Sequence, residues 1–207
     1  AFTNVDGAEQ QHKLASNINY LGVKNIAELT KEKSLKFIHI STDYVFDGES
    51  SVPYLENDET NPQNIYGTTK LAGENAILNL NPANTIIIRT SWLYSSFGSN
   101  FVKTMLRLTS VKDEVSVVNN QVGSPTYAED LAKFIFEVIS KLNNETVEIY
   151  HFANKGFCSW YDFASQIVEV SGNECNVKPV SSEEFKTVAK RPKYSILNTE
   201  KVEKTFQ

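Results

Sequence analysis

Short, almost unbroken apolar runs alternate along this chain with longer stretches in which apolar residues recur every three or four positions, the order expected of strands alternating with helices. Leu35-Lys36-Phe37-Ile38-His39-Ile40 and Thr85-Ile86-Ile87-Ile88-Arg89 read as buried strands, because a parallel strand covered on both faces needs apolar residues on both. Helical patterns at about 8 to 31 and about 63 to 80 precede them. Beyond Asn100 the alternation continues with a helix to about 110, a short strand Glu114-Val115-Ser116-Val117-Val118 and a helix from about 127 to 142. A strand near Glu148-Ile149-Tyr150-His151-Phe152 and a helix from Ser159 to about 171 follow. This predicts an α/β fold built on a doubly wound parallel sheet with helices on both faces. No repeat, low-complexity tract or Pro/Gly-rich linker divides it.

Composition narrows the classes. With 207 residues and 41% hydrophobic content, the chain can bury one large core or two small ones. A formal charge of −5 argues against a nucleic-acid surface as the main function, although a local anion site remains possible. Cys158 and Cys175 have no metal-like spacing to His12, His39 or His151, so a reduced, cytoplasmic protein without zinc or disulfides is expected. No run approaches the length of a membrane span, and no signal peptide is visible.

The candidate chemistry lies at Thr42, Tyr66 and Lys70. Thr42 closes the first predicted strand, and Tyr66 and Lys70 stand one turn apart on the helix after it, where residues i and i+4 share a face. A tyrosine hydroxyl can protonate the oxygen of a carbonyl as it is reduced, and a nearby ammonium can lower its pKa from about 10. The pair alone is weak evidence, since nine tyrosines and 17 lysines readily produce the spacing by chance. Tyr20 and Lys24 repeat it within a helical pattern that has no strand before it, and they read as a helix surface. What distinguishes Tyr66 and Lys70 is the apolar run ending in Ser41-Thr42, a strand opening into a site.

The runs Ser41-Thr42-Asp43-Tyr44-Val45-Phe46-Asp47-Gly48, Tyr66-Gly67-Thr68-Thr69-Lys70-Leu71-Ala72-Gly73-Glu74 and Arg89-Thr90-Ser91-Trp92 closely resemble the dTDP-4-dehydrorhamnose reductase family, a branch of the extended short-chain dehydrogenases/reductases. The resemblance begins with Ala1-Phe2-Thr3-Asn4-Val5-Asp6-Gly7-Ala8-Glu9. It continues through Asn100-Phe101, Gln121-Val122-Gly123-Ser124-Pro125-Thr126, Ser159-Trp160-Tyr161-Asp162-Phe163-Ala164 and Arg191-Pro192. It implies a Rossmann-like fold with a smaller carboxyl-terminal substrate lobe. Residues 1 to 100, with about 127 to 150 returning, would belong to the dinucleotide-binding domain, and 101 to 126 and 151 to 207 mainly to the lobe.

One departure is large: the family opens with a strand, a glycine-rich turn and a helix, and none of the nine glycines here forms G-x-G-x-x-G. The sequence also starts without Met, inside a family motif, and its carboxyl end looks cut short of the family's final helix. It therefore reads as a piece of a longer protein, one that would bind cofactor poorly, and the enzyme reading concerns the intact parent.

By the resemblance, Thr42, Tyr66 and Lys70 are the catalytic set, with Tyr66 donating the proton, Lys70 lowering its pKa and holding a cofactor ribose, and Thr42 donating to the carbonyl. Ser41, Arg89 and Ser91, with Tyr66 and Lys70, would bind NADPH or NADH. Thr3, Val5, Asp43, Tyr44, Trp92, Asn100 and Arg191 would meet the dTDP-sugar, Arg191 as a bidentate donor to its diphosphate. Several of these have ordinary alternatives: Thr3 and Val5 as a loop, Tyr44 and Trp92 as core covers, Arg89 as a surface cation, Arg191 as a charged turn. His39 reads as a hydrogen-bonded core residue, not a proton shuttle. Asn120 stands where the family usually has Asp. Some members dimerise through magnesium, whose ligands have no assignable position here, so a homodimer and Mg2+ stay open.

Tyr44 separates close relatives. Nucleotide-sugar dehydratases carry Asp-Glu at positions 43 and 44 because eliminating water needs an acid and a base, and 4-epimerases carry small residues there. The expected reaction is reduction of the C4 keto group of dTDP-4-dehydrorhamnose to dTDP-rhamnose, a deoxysugar for cell-surface polysaccharide. Two alternatives remain: a non-catalytic regulatory subunit of the methionine adenosyltransferase type, and a reductase making an epimeric 6-deoxysugar.

Overall fold

A computed structural model describes residues 1–206. In chain order the helices are α1 (Val5–Ala8), α2 (His12–Ser16), α3 (Gly22–Lys33), α4 (Ile65–Leu80), α5 (Phe101–Thr109), α6 (Ala128–Ile139), α7 (Trp160–Ser171) and α8 (Glu200–Phe206). The strands are β1 (Phe37–Thr42), β2 (Thr85–Thr90), β3 (Leu93–Tyr94), β4 (Glu114–Val118), β5 (Val122–Gly123), β6 (Thr126–Tyr127), β7 (Glu148–His151), β8 (Cys158–Ser159) and β9 (Asn176–Val180). The main sheet is parallel throughout, in the order β1-β2-β7. All six residues of β2 are buried, which is why its isoleucine run shows no alternation.

Two layers of helix cover this sheet. Ile86, Ile88 and Tyr150 pack with Leu131 and Val138 of α6 and Val202 of α8 on one face. Ile87 packs with Ala27 of α3 and Ile77 of α4 on the other. A separate cluster joins Met105 of α5, Val115 and Val117 of β4, and Ala164 and Ile167 of α7. Here β4 and β9 pair in parallel, and two-stranded clips β3-β6 and β5-β8 lie nearby in sequence. No described helix is long and apolar enough to cross a membrane.

Two expectations need correction. The strand expected at 35 to 40 runs from 37 to 42, because its register is set by pairing Phe37 with Thr85 through to Thr42 with Thr90. Leu35 stays outside, its N–H closing α3 on the Thr30 carbonyl after Ser34 turns left-handed at φ 53°. The helix expected at 8 to 31 is interrupted by one wide turn of π geometry at 17–21. Buried Asn19 sits in that turn, donating to the Phe2 carbonyl (3.0 Å) and Thr69 Oγ1 (3.2 Å) and accepting from the Phe2 N–H (2.8 Å). β9 and α8 carry no clear period in the sequence, and α8 packs on the main sheet.

Gly73 lets α4 approach that turn. A Cβ there would stand 2.3 Å from the Asn19 carbonyl oxygen. In a free helix Gly→Ala gains about 1 kcal/mol, but overpacking against fixed backbone reverses the sign. Gly73→Ala should lower stability by about 1–3 kcal/mol in urea unfolding; an increase would show that the two helices can separate without loss.

Candidate active site

β1 and β2 end side by side at Thr42 and Thr90, at the carboxyl edge of the sheet where open α/β folds place ligands. Thr42 is extended and caps the single turn Asp43–Val45, its Oγ1 accepting from the Tyr44 N–H at 3.2 Å. The same hydroxyl donates to Asp43 Oδ1 at 2.9 Å. Helix α4 starts beside this turn. Asn64 caps it by accepting from the Gly67 N–H at 2.8 Å and ties it to the Lys190 carbonyl. Gly67 permits the contact, since a Cβ there would lie 2.2 Å from the Tyr44 carbonyl oxygen. Tyr66 is thereby set edge-on to Tyr44, with ring centroids 5.5 Å apart.

Burial pushes the Tyr66 phenol up to about 12, the nearby Thr42 hydroxyl works against this, and the Asp43 charge adds to the rise. Lys70 is 2% exposed. Its Nζ donates to the Ile40 carbonyl at 2.6 Å and meets His39 Nε2 at 3.3 Å. Burial lowers it to about 8, with the Glu74 charge working the other way. Lys70 and Tyr66 share a helix face, and the strand carbonyl and the histidine hold the ammonium.

Four of the candidate side chains have partners within the fold. The Arg89 guanidinium is buried and paired with Glu74, Nε lying 3.1 and 3.2 Å from the two carboxylate oxygens and one terminal nitrogen 2.7 Å from Oε2. It also donates to the Glu56 carbonyl and lies over the Phe46 ring at 5.0 Å, so the fold itself takes up this cation. Ser91 donates to the Ser124 carbonyl at 2.8 Å, tying β2 to the segment after β5. Asn100 caps α5, accepting from Lys103 N–H and donating to the Ser95 carbonyl, and does not line the cleft. Asp43 likewise lies behind the cleft, 3% exposed and holding the Thr42 hydroxyl. Burial raises its carboxyl to about 7 against the Thr42 and Ser195 hydroxyls.

A cleft of about 610 Å³ opens between the sheet edge and the second cluster. The structure brings Thr3, Val5, Tyr44, Trp92 and Arg191 together on its walls. Trp92 holds a left-handed backbone at φ 48°, an uncommon conformation for a bulky residue. Its indole stacks on Trp160 with centroids 3.5 Å apart and planes 7° from parallel. Gly123 gives it room, since a Cβ there would fall 2.5 Å from the indole. Arg191 grips Asp6 with two bonds of 3.0 and 2.8 Å, which lowers the Asp6 carboxyl.

Asp6, Trp160 and Asn19 had no role assigned from sequence. Asp6 and Trp160 sit in the matching runs, but nothing local reveals that Asp6 pairs 185 residues away. Among the described residues no group of three or more His, Cys, Asp or Glu could hold a metal ion. A nicotinamide cofactor fits the sheet edge better: Ser41 Oγ and Thr90 Oγ1 are buried there without partners, and Lys70 retains a third N–H.

The Glu74–Arg89 pair gives a stability test. Arg89→Leu leaves a carboxylate buried and unpaired and should cost about 3–5 kcal/mol, while Glu74→Leu with Arg89→Leu should cost clearly less. Equal losses in denaturant unfolding would mean the pair contributes packing only.

The family model described as "RmlD substrate binding domain" matches residues 1–207. The spore coat polysaccharide biosynthesis protein SpsK of Bacillus subtilis (strain 168) is 44% identical over 203 residues, 98% of this chain and 70% of its own. A dTDP-4-dehydrorhamnose reductase of Sinorhizobium fredii is 41% identical over 214 residues, covering 100% of this chain and 72% of its own. The crystal structure of dTDP-4-dehydrorhamnose reductase from Bacillus anthracis in complex with NADP superposes with a TM-score of 0.94 at 43% identity, over 100% of this chain and 73% of that one.

Proposed function

We propose, from the premise that the chain belongs to the RmlD substrate binding domain family, that it reduces the C4 keto group of dTDP-4-dehydrorhamnose to dTDP-rhamnose with NADPH. The observation that carries this is Thr42 and Tyr66 meeting at the sheet edge, beside a cleft walled by Tyr44, Trp92 and Arg191. The names of the relatives supply the sugar, and the NADP complex of one favours NADPH. The polysaccharide role of another suits a deoxysugar product. We place the reaction in the cytoplasm.

When bound, the cofactor supplies a hydride to C4. Ser41, Tyr66 and Lys70 would hold it, the first through its unpartnered hydroxyl. Thr42 would orient the carbonyl oxygen by turning its one hydroxyl hydrogen to it from Asp43 Oδ1, and Tyr66 gives that oxygen a proton as negative charge develops there. A phenol near 12 is fully protonated at neutral pH, the form that a reductase needs. The alkoxide being formed is a stronger base than the phenolate, so the transfer runs towards product. Trp92 and Val5 offer an apolar wall for the deoxysugar, and Arg191 keeps N–H groups beyond those on Asp6 for a diphosphate.

The test is NADPH oxidation with dTDP-4-dehydrorhamnose in the full-length protein. Tyr66→Phe should lower kcat by roughly 10²–10⁴-fold with little change in affinity for NADPH. Lys70 carries its charge below about 8 and loses it above, so activity should fall as pH rises through that value, and Lys70→Met should remove this limb. Absence of turnover from a folded protein that binds the nucleotide would favour a non-catalytic regulatory role.

A further inference from the structure

Lys70 is placed by more than its own helix. Strand alternation turns Phe37, His39 and Ser41 of β1 towards the same face, and His39 is 7% exposed under α4. Within a strand covered on both sides an aliphatic residue is the default, and burying an imidazole there is unfavourable unless it finds a partner. The partner is the Lys70 ammonium, 3.3 Å from His39 Nε2. An ammonium has donors only, so Nε2 must present its lone pair and the ring hydrogen must sit on Nδ1. With the Ile40 carbonyl at 2.6 Å, two of the three Lys70 N–H groups are fixed and the third is aimed by geometry.

We propose that His39 is a positioning residue for Lys70: as a neutral Nδ1–H tautomer it accepts one N–H of the ammonium at Nε2 and, together with the Ile40 carbonyl, directs the remaining donor towards the cofactor ribose. The inference rests on the reading of Lys70 as a cofactor-holding residue. It makes His39 neither a shuttle nor inert packing.

The charges around the pair are consistent with it. Burial and the Lys70 charge lower His39 to about 3, so it stays an acceptor across the working range. On the lysine's side, Glu74 lies one turn along α4, itself locked to Arg89 of β2, and Tyr66 lies one turn back. A protonated His39 would face an ammonium and release it.

The experiment is NMR on the full-length protein. Long-range ¹H–¹⁵N spectra read the His39 tautomer, and the ¹³Cε resonance of Lys70, assigned with Lys70→Met, reads its titration. In the unmodified protein Nε2 should be bare and Lys70 should titrate near 8. His39→Phe keeps the ring and deletes the acceptor, which should move the Lys70 midpoint down by about one unit. His39→Gln restores an acceptor close to the Nε2 position and should return it to near the original value. An Nε2–H tautomer, an unmoved midpoint in a folded His39→Phe protein, or equal shifts in both variants would overturn the proposal. If His39→Phe does not fold, the tautomer decides. None of these readouts needs turnover, so a failure of the reductase reading is told apart from a failure of this one.

Discussion

The buried Glu74–Arg89 pair fixes helix α4 to the sheet in one register, and Tyr66 and Lys70 inherit their positions from it. Both partners are almost without solvent, at 0% and 3% side-chain exposure, so neither charge has water to fall back on if the helix slides. Lys70 lies one turn before Glu74 and Tyr66 one turn before that, all on the sheet-facing side of α4. The glycines at 67 and 73 complete the constraint by bringing α4 against the Tyr44 and Asn19 carbonyls. A slip along the helix would break the ion pair, lose the His39 contact and separate Tyr66 from Thr42 together.

The cleft depends on a second, independent constraint. Trp92 follows the end of β2 in a left-handed conformation that its own side chain disfavours, and it is held there by Trp160 on one face and the space above Gly123 on the other. The sheet thus supplies the reacting end of the site, while the cluster around α5 and α7 supplies the wall that would meet the sugar. Asp6 and Arg191 close the cleft from opposite ends of the sequence.

Period and local motif made the sheet and the placing of Thr42, Tyr66 and Lys70 at its edge legible. The runs ending at Thr42 and Arg89, and the tyrosine-lysine spacing after them, are properties of neighbouring residues, and tertiary structure left them in place. Of the decoy pair, Lys24 lies at the surface and pairs with Glu28 at 3.6 Å, while Tyr20 is half-buried in the wide turn. What the sequence did not reveal was long-range partnership. Nothing near Arg89 in sequence announces its pairing with Glu74, and nothing near Asn100 shows that its amide caps α5. The His39–Lys70 contact joins residues 31 apart and becomes visible only when β1 lies under α4.

The central claim, that this site delivers a hydride to the C4 carbonyl of a dTDP-linked keto sugar, has a direct test in the product. With NADPH carrying deuterium at the transferring position, the account predicts dTDP-rhamnose with deuterium on C4, seen by NMR as loss of the C4 proton signal. A product protonated at C4 from water, or an unreduced sugar beside intact NADPH, would contradict it.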